Sequence, residues 1–144
     1  MGTTAYDADF YRWATETAQA LREGRLREVD VQHVSEELED MGKRERRELR
    51  HRLTVLLAHL LKWQYQPEGR GTSGRATILE QRQQIAGLLE DSPSLRPPVS
   101  DWLAQAYGEA VAKAAAETGL AEQTFPVACP YRVEQVLDAS FLPG

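Results

Sequence analysis

Nine consecutive residues, Leu53–Leu61, constrain this chain more than any other stretch. Only Thr54 and His59 interrupt an otherwise apolar run. The run is far too short to span a bilayer. A helix that is apolar nearly all round has to be surrounded by other protein, so this segment is expected to be the axis of the fold. Composition supports helices around it. Ala and Leu supply 18 and 17 residues, against 9 Val and 2 Ile, and there is no Asn. Helix formers dominate and strand formers are scarce. A chain of 144 residues has the size of one ordinary domain. The expectation is an all-α fold: a single-domain helical bundle over residues 1–144, with about five main helices and a short C-terminal one.

Apolar spacing and caps place those helices. The first is expected from Asp7, as N-cap, to Glu23, with Phe10, Trp13, Ala14, Thr17 and Leu21 on one stripe and Gly24 just past its end. Asp30 caps a second, which presents Val31, Val34, Leu38 and Met41. A break is expected at Gly42, since glycine costs about 1 kcal/mol inside a helix and is the usual residue just past a helix end. A third helix then runs from Lys43 to Tyr65. Pro67–Gly74 reads as a loop. A fourth helix, capped by Thr72 or Ser73, reaches Asp91 with Ile78, Ile85, Leu88 and Leu89 inward. A fifth starts at Pro97 and Pro98 and ends at Gly119. Phe125-Pro126 and Cys129-Pro130 force extended backbone. A short helix over Tyr131–Ala139 follows, and Phe141 and Leu142 pin the end to the bundle.

Charge and cysteine content exclude several classes. The net charge of −5 argues against a general binder of nucleic acid or anionic membranes. Cys129 is the only cysteine, so neither an intrachain disulfide nor a cysteine-based zinc site can be built. No base or cation adjoins it in sequence to activate a thiolate. Met1–Phe10 has no basic or apolar region of a signal peptide. A cytoplasmic protein without membrane attachment is expected.

Three constellations remain. Gly69-Arg70-Gly71-Thr72-Ser73-Gly74 matches G-x-G-x-x-G, but a helix precedes it where a dinucleotide fold requires a strand. A glycine-rich entry to a helix still offers N–H groups to an anion, with Arg70, Ser73 and Arg75 as candidates; the alternative is an ordinary helix–helix loop. Glu37, Asp40 and His59 are candidates for a metal, although no Glu-x-x-His pair of the di-metal bundles occurs. The competing reading gives His59 a hydrogen bond to a buried Glu. Finally, six acids and six bases share residues 36–52. Lys43, Arg46, Arg47 and Arg50 fall on one side of a helix, either as a partner-binding face or as a solvated face paired with the acids before it.

Several ordered strings carry a resemblance. They are Tyr6-Asp7-x-Asp9-Phe10-Tyr11-x-Trp13, Glu36-Glu37-Leu38-Glu39-Asp40-Met41-Gly42, His59-Leu60-Leu61-Lys62-Trp63-Gln64, Arg75-x-Thr77-Ile78-x-Glu80-Gln81-Arg82, Cys129-Pro130-Tyr131 and Phe141-Leu142-Pro143. Together they resemble the bacterial domain-of-unknown-function family 29 across nearly the whole chain. The resemblance implies an all-helical single-domain bacterial protein and brings no catalytic residue with it. The chain departs from the family pattern at Gly74, where a tryptophan is expected. The function expected is therefore non-enzymatic: contact with an unknown protein partner, or homo-oligomerisation. Nucleic-acid binding through Lys43–Arg52 and a metal- or phosphate-dependent enzyme are the alternatives. No cofactor is expected.

Overall fold

The computed structural model describes residues 5–144. Met1–Thr4, part of the segment read as lacking a signal peptide, lie outside the described residues. Six α-helices occur among those described: α1 (Ala5–Ala8), α2 (Phe10–Arg22), α3 (Val31–Tyr65), α4 (Thr72–Asp91), α5 (Val99–Thr118) and α6 (Val133–Leu137). There is no strand among them, and the all-α expectation holds. Four helices are long, not five, because the second and third expected helices are one.

That helix, α3, is 35 residues long and passes through Gly42 without a break. A glycine stop needs the left-handed backbone region. Among the described residues only Gly24 (φ 74°) and Gly119 (φ 78°) adopt it, and both end helices as expected. The residues around Gly42 are mostly strong helix formers, and their cooperative propagation outweighs one glycine.

Local caps explain the other boundaries. Asp9, rather than Asp7, opens α2: its carboxylate accepts the Arg12 N–H at 3.1 Å. Asp30 caps α3 as expected, accepting the His33 N–H at 3.2 Å. The N-cap of α4 is Gly71, with extended backbone and no side-chain hydrogen bond. Thr72 and Ser73 are thus already helical. The last helix is shorter than expected, Val133–Leu137, and the Gln135 side chain accepts the Arg132 N–H at 2.9 Å in front of it.

The chain divides into two compact units, and the division falls within α3 between Arg44 and Glu45. The C-terminal unit holds the large core. Leu49, Leu53, Leu56, Leu57, Leu60 and Leu61 of α3 are fully buried. Ile78, Ile85 and Leu89 of α4, Leu103, Tyr107 and Ala110 of α5 and Val136 of α6 complete the same cluster. The expected axis is therefore central, with one open side at Val55 and His59, which are only half-buried. Trp63, Tyr65, Phe141 and Leu142 pack against this core.

Arg82 lies on the stripe of Ile78, Ile85 and Leu89 and is itself buried. Its Nε donates to the Val136 carbonyl at 2.9 Å, its Nη1 to Phe141 at 2.7 Å and its Nη2 to Gln135 at 3.2 Å. One guanidinium thus ties the C-terminal segment to α4. Burial lowers its pKa, and Asp138 partly offsets that. Tyr107 and Tyr131 add two more ties, donating to the Pro126 carbonyl at 2.6 Å and to Gln64 Oε1 at 2.8 Å.

The N-terminal unit is thin. Trp13 and Ala20 are its only buried side chains among the described residues. The Tyr6 ring stacks on His33 with centroids 4.0 Å apart and meets Trp13 edge-on at 4.8 Å. The Tyr6 hydroxyl donates to Glu37. That bond, helped by burial, pushes its pKa up to about 12. Asp30 also accepts from His33 Nδ1 at 2.5 Å and raises the imidazole pKa.

Candidate functional site

The stripes expected on α2 and on the start of α3 both exist, and they line an open groove instead of a closed core. Its walls are Phe10, Ala14, Thr17, Ala18 and Leu21 of α2 and Val34, Leu38 and Met41 of α3, over Trp13, with a volume of about 510 Å³. The apolar walls are strongly exposed: Leu38 by 62%, Met41 by 56%, Phe10 by 50% and Leu21 by 46%. Single exposed apolar residues are ordinary, whereas contiguous apolar sets occur at protein, membrane and ligand contacts alike. Two charged residues, Glu37 and Arg44, also line the groove.

The basic candidates lie elsewhere. Lys43, Arg46 and Arg47 are exposed and make no ion pair with the described residues. Arg44 makes none either. The expected pairing with the acidic run before them does not form among the described residues. Arg50 is half-buried and faces Glu109 at 3.7 Å, while its Nε is buried without a hydrogen-bond partner. Arg52 pairs with Glu48 one turn back, at 3.2 Å. Arg44, which borders the groove, is a residue that the charge pattern alone did not single out.

The anion candidates are dispersed. Arg70 folds back on the end of α3: its Nε donates to the Trp63 carbonyl at 2.6 Å, and its guanidinium lies 5.4 Å from the Trp63 ring centre. Ser73 lines a small pocket of about 150 Å³ with His59, Lys62 and Trp63. Lys62 is held there by Glu117 at 2.7 Å. Arg75 opens onto a different surface, beside Leu79, Arg82 and Leu142.

The metal candidates are likewise separate. Glu37 and Asp40 belong to the N-terminal unit and His59 to the C-terminal one. His59 Nδ1 is 2.9 Å from the Val55 carbonyl of its own helix, so a main-chain oxygen replaces the buried Glu expected as its partner. No group of three or more His, Cys, Asp or Glu among the described residues is gathered to hold a metal. The Cys129 thiol is half-buried, and burial raises its pKa, the reverse of an activated nucleophile. No helix among the described residues is long and apolar enough to cross a membrane.

The model of the family described as Domain of unknown function DUF29 matches residues 5–142. The chain belongs to this family. The match takes in both compact units, including every groove residue. No significant match is found among curated proteins or among solved structures.

Proposed function

We propose that this DUF29 protein works through protein–protein contact, with the α2–α3 groove as its contact surface. The observation that carries the reading is the groove itself: two helices present matched apolar stripes that the described residues leave uncovered. Burying such a face yields roughly 25 cal/mol per Å² of apolar surface, and a unit with two buried side chains among its described residues gains much from a partner that supplies it. The dispersed anion and metal candidates add no competing site. The cytoplasm of a bacterial cell is the setting we assign to the protein.

A photo-crosslinker placed at Leu38 in cells tests the surface. A specific adduct of higher mass is expected, and Met41→Asp in the same groove should abolish it. No adduct, or one indifferent to Met41→Asp, overturns the reading. An adduct to nucleic acid in its place would favour the alternative.

A further inference from the structure

The groove's occupant can be read from its own charges. Glu37 and Arg44 line it from the same helix. They are seven residues apart, which is two turns, so they lie in line along one edge of α3. An acid and a base in line make that edge self-complementary when a copy of it is laid alongside in the opposite direction. A two-fold axis does this: residue i of one copy meets j of the other, and j meets i.

The apolar walls obey the same rule. Leu38 and Met41 stand between the two charges, and their three-residue step belongs to the heptad spacing of helices that pack on helices. Two copies of a two-helix face, brought together by a two-fold axis, make a four-helix bundle with one shared apolar core. Neither charge is spent on another ion pair within the described residues. Glu37 accepts from the Tyr6 hydroxyl, and a carboxylate with one such bond keeps further lone pairs open.

Resting on the groove as a contact surface, we infer that its occupant is a second copy of this chain, paired two-fold and antiparallel about α3 near Met41, with Glu37 of each copy facing Arg44 of the other. The partner is thus neither an acidic peptide nor a nucleic acid.

Charge reversal separates this pairing from every other occupant. The full chain and its Glu37→Arg, Arg44→Glu and doubly reversed forms are compared by sedimentation equilibrium. The wild type is expected to be a dimer. Arg44→Glu, an exposed change, sets two like-charged pairs facing each other by symmetry and weakens the dimer by about tenfold. The double reversal rebuilds both pairs and returns the dissociation constant to within about threefold of the wild type. A wild type that stays monomeric at about 100 μM, far above a micromolar dissociation constant, overturns the pairing. So does a dimer indifferent to Arg44→Glu, or one that the double reversal fails to restore. A monomer whose Leu38 crosslinks to another protein leaves the contact surface standing and removes only self-pairing. A dimer that survives Met41→Asp removes self-pairing through this groove.

Discussion

At the scale of single residues, Arg82 does most to join distant parts of the C-terminal unit. Its three donors satisfy three carbonyls near the chain end, and hydrogen bonds from a charged donor count for more than neutral ones. Arg82→Met keeps the aliphatic stem but takes the donor from the Val136 and Phe141 carbonyls, while Gln135 keeps the Asp138 N–H at 3.3 Å. The substitution should destabilise the protein by about 3 kcal/mol, read as a lower denaturant midpoint. Arg82→Lys should recover only part of this, because an ammonium has no fork. The sequence holds a trace of this residue: Arg82 falls on the spacing of Ile78, Ile85 and Leu89, an arginine where a leucine would be ordinary. What it ties down was not legible, since its acceptors are main-chain oxygens more than fifty residues away. His59 teaches the converse. Its polarity within an apolar run pointed to a partner, and a carbonyl four residues back supplies one.

At the scale of elements, α3 is the case where a local rule gave way. Gly42 is helical, exposed and has no atom within 4 Å of the place a Cβ would occupy. Gly42→Ala should therefore cost nothing sterically and stabilise the helix by about 1 kcal/mol, seen as a higher thermal midpoint. A loss of stability would mean that the helix needs a glycine there. Glycine marks a helix end only when the backbone turns left-handed, as at Gly24 and Gly119. Which glycines do so depends on where the next segment has to go, and that was only partly legible. The start of α3 at Asp30 follows side-chain capping within three residues, which sequence does carry; at α2 two aspartates compete, and Asp9 rather than the expected Asp7 makes the bond. Of the candidate site, the apolar stripes were legible by period, while their lack of cover was not.

At the scale of the whole molecule, the two compact units differ in how much they bury. Fully buried leucines crowd the C-terminal one, whereas the N-terminal one encloses only Trp13 and Ala20 among the described residues. Opening free energies follow buried apolar contact. The amides of α2 should thus exchange with solvent well before those of Leu53–Leu61 in native-state hydrogen exchange. With the groove covered by a second copy, protection of α2 should rise with protein concentration. Equal protection of the two segments at every concentration would contradict the thin core. The sequence by itself determined that the chain is helical, that a helix starts at Asp30 and others end at Gly24 and Gly119, and which run forms the central axis, because period, caps and propensity act within a few residues. Only the tertiary structure decided that α3 is unbroken, that Arg82 clamps the chain end and that two apolar stripes face an open groove. Those outcomes depend on which surfaces meet, and surfaces meet through contacts between residues far apart in the chain.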